Sequence, residues 1–545
     1  MANTKRAFKS VASLVVWLLL PFVQTLEGAG YYVSPSASNA SDANSGTEAL
    51  PWKTLNKANA TLRAGDTVYL KAGTYNTYIN PANSGTPTAR ITYQNFGSDV
   101  VTITGTSYAV FLDGKDYITV QGIKASLCAR FLYILNGADH NVVAYCSFDE
   151  SSEPAEWDVS VIYTSSQYNQ IHHCQFSKGG ECTAAGSDDG EVLGIGDESS
   201  ATDLTRFNLI EDCVFFHGGH HVVALMASYN TVRNNYFHNE AWSRSRGNRT
   251  LYMNGKDPNA GHNLIEGNRF GYAAQPCDDF TVGNVAMSTP FNIFRYNKIF
   301  HSNAYGLSFS YYNGYSSGSS NRVYNNTIFN SGYKIYPTYQ NSQENSAVMF
   351  WYAPPVGNAL KNNLYSARAR VYGVSGNSLA NQSFANNWDG DTQGNPLFVN
   401  ASTNPPADKS DLLLPNLDIR AGSPVLNAGG ALTAVAGGDV GSGTSMLLAD
   451  STYFQDGSMA PPGTVQADWI AIGNVTNVAQ IASISGNTVR LINGVSRRAN
   501  DPVWLYKRSD GVRVLYESGP DIGAFEYTGS SPAPAPPTNL RVVVP

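Results

Sequence analysis

Charge is scarce in this chain. Asp, Glu, Lys and Arg together make up 14% of its 545 residues, against roughly 25% in an ordinary soluble domain. That shortage argues against both a mostly helical protein and a disordered one, since each depends on a high charged fraction. Cysteine is also rare, at six residues, and no Cys-x-x-Cys or Cys/His spacing points to zinc. Beyond the first thirty residues no apolar run is long enough to cross a bilayer. Those first thirty carry Lys5, Arg6 and Lys9, an apolar run Val11–Leu20, Pro21 and then small residues at 28–30. This is the pattern of a secretory signal over residues 1–30, and the run is too short for a membrane anchor. A soluble, secreted protein without a membrane span is expected.

What the chain does have is glycine, aromatic residues and a recurring asparagine. From Asn141 onward one pattern returns: "NVVAYCSF", "NQIHHCQF", "NLIEDCVF", "NTVRNNYF", "NLIEGNRF", "NIFRYNKI", "NRVYNNTI" and "NALKNNLY". The copies start at residues 141, 169, 208, 230, 263, 292, 321 and 358, so the shortest period is 22 residues and the others are 28 to 39. Short apolar strand patterns such as "VSVIYTS", "EVLGIGD", "HHVVALMAS" and "RTLYMNG" lie between them. A minimal unit near 22 residues, with brief strands and Asn-rich turns, predicts one coil of a parallel β-helix. A single coil cannot bury its apolar face, whereas stacked coils share one core. Asparagine suits the turns because it tolerates left-handed backbone angles and hydrogen-bonds the neighbouring turn. The LxxLxL pattern of leucine-rich repeats is absent. Cys146, Cys174 and Cys213 fill the fifth repeat position, taken later by Asn235, Asn268, Asn297, Asn326 and Asn363. A stack of small buried side chains is the expectation, with a disulfide between neighbouring coils as the alternative.

The segment "YYVSPSASNASDANSGTEALPWKTLNKANATLRAGDTVYLKAGTY" closely resembles the N-terminal cap of secreted right-handed β-helix proteins of the pectate-lyase-like superfamily. In those proteins a strand, a Gly/Asn turn, a short helix (here about residues 52–62) and a strand pair in "GDTVYLKAGTY" close the first coil. "NPLFVN", "GSPVLNAGG" and "PDIGAFEY" resemble the way such chains finish. With the repeats, the resemblance covers about residues 31–430 and 518–527. It implies an all-β, right-handed parallel β-helix and leaves the reaction open, because lyases, glycosidases, epimerases and adhesins share this architecture. Residues 431–517 interrupt the closing motif with alternating strands of their own, which predicts a small inserted β subdomain. A closing strand is expected over 518–528. The Pro-rich tether "GSSPAPAPP" and "TNLRVVVP", similar to the first strand of a fibronectin type III module, occupy 529–545.

Coil length locates a cleft, because insertions in a stack project from one face. Long excursions follow residues 176, 237 and 328. The first, "ECTAAGSDDGEVLGIGDESSATD", is acidic throughout. Its Asp188, Asp189, Glu191 and Asp197 are candidate ligands for Ca²⁺, although they lack EF-hand spacing and also read as a solvated loop. The next coil carries "FFHGGHHVVAL", with His217, His220 and His221. The second excursion holds Glu240, Trp242, Arg244, Arg246, Arg249 and Lys256. That concentration of positive charge stands out in a chain of net charge -7. Acidic, histidine-bearing and basic coils are thus neighbours, as β-elimination on a uronic-acid polysaccharide requires. The substrate carboxylate must be neutralised, by Ca²⁺ or by a bidentate arginine, while a base removes the adjacent proton. His220, His221, Arg249 and Lys256 are the candidate catalytic groups; Glu240, Trp242, Arg244 and Arg246 are candidate substrate contacts.

Family signatures narrow this further. The "NTDG" signature of polygalacturonases and the "YGxDPHD" signature of alginate epimerases are missing. Alginate and chondroitin lyases of β-helix type place a base lysine before an "NxxxRxN" coil; here "NTVRNNYF" matches the coil, but "ALMAS" stands where the lysine would be. A secreted polysaccharide lyase, acting as a monomer on an acidic glycan and not on nucleic acid, is the expected function. A glycoside hydrolase using two of Asp188, Asp189, Glu191, Asp197, Glu240, Asp278 and Asp279 is one alternative. A non-catalytic carbohydrate-binding surface protein is another.

Overall fold

The computed structural model describes residues 28–529 apart from 154–157, 181–189, 198, 241–248, 258–259, 275–282, 312–314, 333–342, 352–354, 367–369, 377 and 411–412. Among the described residues there is one α-helix, Leu55–Thr61, whose N-terminus is capped by Thr54 Oγ1 accepting from the Lys57 N–H. It begins later than the sequence suggested. Trp52 is held back from it, bridging Val33 and stacking on Tyr31 with ring centroids 4.4 Å apart.

Almost everything else is strand. Three long parallel sheets run the length of the stack, with thirteen, twelve and ten strands among the described residues. The first sheet extends from Gly30–Val33 to Ser383–Ala385, the second from Gly73–Tyr75 to Trp388–Asp389, and the third from Tyr108–Asp113 to Tyr372–Ser375. From the coil of Tyr108–Asp113 to that of Tyr372–Ser375 each coil gives one strand to each sheet and pairs in register with the next, as in Val142↔Gln170, Gln170↔Leu209 and Leu209↔Thr231. This is a right-handed parallel β-helix, the hand that parallel crossovers almost always take. Its interior is a column of side chains stacked coil on coil. Phe148, Phe176, Phe215, Phe237 and Phe270 are fully buried, with successive centroids 4.7 to 5.3 Å apart.

The asparagine repeat is a pair of hydrogen-bond ladders. Asn141 N–H donates to Asn169 Oδ1 at 2.9 Å, Asn169 to Asn208 at 2.9 Å, and Asn208 to Asn230 at 3.0 Å. At the fifth position the ladder starts with sulfur. Cys146 N–H faces Cys174 Sγ at 3.4 Å and Cys174 N–H faces Cys213 Sγ at 3.3 Å; Cys213 N–H then donates to Asn235 Oδ1 at 2.9 Å. All three cysteines are free thiols in the core, so small buried side chains, not disulfides, fill these steps. Burial pushes the Cys146 and Cys174 thiols well above the ordinary range.

Two of the three outer faces are covered along the C-terminal half. Over the first sheet lies a six-stranded antiparallel subdomain built from strands between Thr433 and Lys507. Leu264, Ile293 and Tyr324 of the coils pack against its Leu432, Tyr453 and Ile470. A buried triad fastens the two together: Arg295 Nε meets Glu266 at 2.5 Å and its terminal nitrogens meet Asp468 at 2.7 Å. Over the second sheet lies the antiparallel pair Phe398–Asn400 and Asn416–Ile419, with Phe398, Leu417 and Ile419 against Tyr236, Tyr272 and Phe300. Lys298 pairs with Asp418 there at 2.5 Å.

Residues 518–528, expected as a closing strand, form none. Their N–H groups are taken by side chains and single carbonyls in place of a ladder: Asp521 donates to Glu526, Tyr527 to Asp521, Ala524 to Thr327 Oγ1 and Gly523 to the Asn362 carbonyl. Neither covering element packs on the third sheet among the described residues. Residues 1–27 and 530–545, which hold most of the signal segment and of the tail, lie outside the described residues.

Candidate functional site

The third sheet's outward face carries a row of polar side chains, one from each successive coil. Asp158 and Glu191 are register partners across a parallel bridge. His221 pairs with Arg249 on the following two coils, through the strands His221–Leu225 and Arg249–Met253. Each step is one strand spacing, roughly 4.8 Å. Beside the row, the outward positions at mid-strand are small: Gly194, Ala224, Ala286 and Ser308 are in register, interrupted by Tyr252. This leaves a shallow floor flanked by charge.

The "GGHH" stretch sets the histidines. Gly218 lies so close to the following strand that a Cβ there would fall 2.1 Å from the His221 carbonyl oxygen. Gly219 N–H donates to the Gly190 carbonyl of the preceding coil at 2.7 Å. The tight turn delivers His220 and His221 to the start of the strand, next to Glu191. His220 Nδ1 lies 3.4 Å from Glu191 Oε1, with the imidazole side chain 27% exposed and the carboxylate 9%. His221 is 1% exposed. It is sandwiched between the His220 ring at 3.9 Å and the Tyr252 ring at 4.2 Å. Of the two, His220 is the imidazole that solvent and a ligand reach.

Arg249 continues the row. Its guanidinium lies 5.2 Å from the Tyr252 ring centroid, and its Nε donates to Tyr305 Oη at 3.2 Å. Towards the N-terminal coils Asp158 accepts from Tyr163 Oη, and its backbone carbonyl accepts from Tyr133 Oη at 2.8 Å, which in turn accepts from Arg130 Nε of the preceding coil at 3.0 Å. Gly194 makes room for that carboxylate, since a Cβ there would sit 2.6 Å from Asp158 Oδ1. Burial, with Asp158 adding to it, pushes the Tyr133 phenol up to about 12, against the pull of Arg130. Burial, then Asp158 and Glu191, raise Tyr163 well above its ordinary value.

The sequence candidates divide accordingly. Glu191, His220, His221 and Arg249 come together on this face. Lys256 stands beyond the far end of the same strand, exposed, with its Nζ 5.2 Å from the Tyr315 ring centroid. Asp197 likewise lies at the opposite end of the Leu193–Ile195 strand from Glu191. There its Oδ1 accepts from the Ser199 N–H at 2.8 Å and closes a turn. His217 packs edge-on against Phe216 and His238. Asp188, Asp189, Trp242, Arg244, Arg246, Asp278 and Asp279, and the Glu240 side chain, lie outside the described residues. Asp158, Tyr163, Tyr252 and Tyr305 join the site without having been singled out from the sequence. Of the four candidate Ca²⁺ ligands, Asp188 and Asp189 lie outside the described residues, and the described ones supply only part of the six to eight oxygens that Ca²⁺ takes. Around Glu191 the described donors are two imidazoles and, one coil back, the Asp158 carboxylate, whereas Asp197 is at the opposite end of the strand.

No protein-family profile matches the chain. Over 109 residues it is 37% identical to the uncharacterized protein YwoF of Bacillus subtilis (strain 168), a match covering 19% of this chain and 23% of YwoF. Among solved structures it is similar to pectate lyase Pel9A, at 16% identity and a TM-score of 0.44, over 74% of this chain and 91% of that one. It is similar also to a rhamnogalacturonan lyase, at 14% identity and a TM-score of 0.44, over 72% of this chain and 95% of that one.

Proposed function

We propose that the chain is an exported polysaccharide lyase that cleaves a uronic-acid-containing glycan by β-elimination. The observation that carries this reading is that Arg249 is the register partner of His221, whose ring stacks on the accessible imidazole of His220, on the one outer face that neither covering element occupies among the described residues. In β-elimination a base takes the proton on the carbon next to the carboxylate. The electron pair moves into the forming double bond, and the bond to the leaving glycosidic oxygen breaks. Arg249 neutralises the substrate carboxylate while negative charge builds there. His220 takes the proton: Glu191 beside Nδ1 favours the tautomer with N–H at Nδ1 and the lone pair at Nε2, and stabilises the imidazolium once formed. The same imidazolium can return the proton to the departing oxygen.

A second reading, a glycoside hydrolase, is favoured by one observation. Asp158 and Glu191 are register partners on adjacent coils, and a strand spacing of roughly 4.8 Å approaches the separation of about 5–5.5 Å between the carboxyls of a retaining enzyme. One experiment separates the two. The protein is incubated with pectate, alginate and glycosaminoglycans while ultraviolet absorbance of unsaturated uronates and reducing ends are followed together. Both signals rising supports elimination; reducing ends rising without the absorbance refutes it and supports hydrolysis. Binding without either signal refutes both.

A further inference from the structure

Two imidazoles beside the Glu191 carboxylate suit an ion other than calcium. One ligand atom from each of Glu191, His220 and His221 lies within 4.8 Å of the other two, and the Glu191 Oε1–His220 Nδ1 edge is 3.4 Å. An ion bonded at about 2.0–2.1 Å to two donors at the tetrahedral angle holds them about 3.3–3.4 Å apart. That edge therefore already has the length of a shared Zn²⁺-type edge. Two imidazoles with one carboxylate are also the ligand types such ions select. We propose that Glu191, His220 and His221 bind a transition-metal ion of the Zn²⁺ class, and that its binding silences His220 as proton acceptor. The second half rests on the elimination reading; the first does not.

The surroundings agree. The glycine turn and the start of the His221–Leu225 strand set both imidazoles beside Glu191; their rings stack at 3.9 Å, so the exposed His220 ring turns out of that stack for both lone pairs to meet one ion. Solvent reaches the site at His220, whose side chain is 27% exposed. Silencing follows from elementary chemistry. A neutral imidazole has one basic lone pair. When His220 Nδ1 gives it to an ion, Nε2 carries the proton and can accept none.

The test uses the full chain without a histidine tag, stripped with a chelator and returned to chelator-free buffer. Co²⁺ is titrated while its visible ligand-field bands are recorded; Zn²⁺ is titrated by calorimetry, with Ca²⁺ as competitor. One ion per chain is expected, with affinity reduced by more than about tenfold in Glu191→Gln and His220→Ala and unaffected by Ca²⁺. Equal displacement by Ca²⁺, or parental affinity in both folded variants, overturns the site. Should either variant fail to fold, ¹⁵N spectra of the parent imidazoles decide: Zn²⁺ must shift the His220 Nδ1 signal, and an unmoved signal overturns the site. Once a lyase substrate is in hand, saturating Zn²⁺ should abolish turnover and a chelator restore it. Stoichiometric Zn²⁺ with unchanged turnover refutes the silencing and leaves the binding site standing.

Discussion

Asp468→Ala probes how the antiparallel subdomain is fastened to the coils. Asp468 is fully buried and accepts two hydrogen bonds from Arg295 at 2.7 Å, one from the Gln455 N–H at 3.1 Å and one from its Nε2 at 2.8 Å. Arg295 is itself fully buried, and its remaining partners are Glu266 and the Tyr324 hydroxyl. Deleting Asp468 leaves a guanidinium with one carboxylate in place of two, where water does not reach. Breaking a buried ion pair from one side costs about 3–5 kcal/mol; because Glu266 stays, the lower end applies. About 3 kcal/mol is somewhat over a hundredfold in an equilibrium constant. The two partners belong to different units, so that factor should fall on subdomain release before it falls on the coils. Native-state proteolysis under slow-cleavage conditions reads the open population. Cuts within 433–507 should accelerate about a hundredfold while the β-helix survives. Replacing Arg295, Glu266 and Asp468 together by apolar residues of similar size should restore most of the protection. An acceleration of less than about fivefold in Asp468→Ala, roughly 1 kcal/mol, would refute the claim that this triad holds the interface.

Arg249→Ala should slow turnover about tenfold to a hundredfold, the rate equivalent of about 1.5–3 kcal/mol for a charge-assisted bond, with little change in the thermal midpoint; steady-state kinetics and calorimetry check both. Asn268→Ala removes the acceptor of the Asn235 N–H and the donor to the Val232 carbonyl, and should cost about 2–4 kcal/mol, read by denaturant unfolding. The C-terminal closure should loosen as pH rises. Burial, with each group's carboxylate neighbours adding to it, raises Asp521 to about 6 and Glu526 to about 9. The folded state therefore holds protons that the unfolded chain releases near its ordinary carboxylate values. Its advantage is complete at low pH and is lost as pH climbs through 6 and then 9. Hydrogen exchange over 518–527 should accelerate across that window, and Glu526→Gln should flatten the response.

The β-helix was readable because its determinants are periodic: an Asn at each coil corner, an apolar strand pattern after it, and a minimal coil near 22 residues. The antiparallel strands were readable as alternation. The composition of the site was partly readable; its register was not. Asp158 lies 11 residues before the next repeat asparagine, Glu191 17, His221 9 and Arg249 14, because the turn from the third sheet back to the first varies in length. Linear spacing therefore gives no hint that they form one row. Asp158, Tyr252 and Tyr305 escaped for the same reason, each being unremarkable in its own segment. Lys256 and Asp197 seemed near the row because they are near in sequence, yet a strand of three to five residues carries the chain across the sheet to its opposite end.

The long excursions after residues 176, 237 and 328 all join a strand of the second sheet to a strand of the third. The asparagine and cysteine ladders occupy other corners of the coil. Chain length added at that one corner leaves every ladder bond and every core column unchanged. The molecule thus behaves as a chassis with exchangeable fittings: segments bordering the row can be lengthened, shortened or transplanted from another coil without renegotiating the register of the rest. A library varied only between the second and third sheets should therefore fold at high frequency while its ligand preference drifts. In such a scaffold new specificity costs little stability.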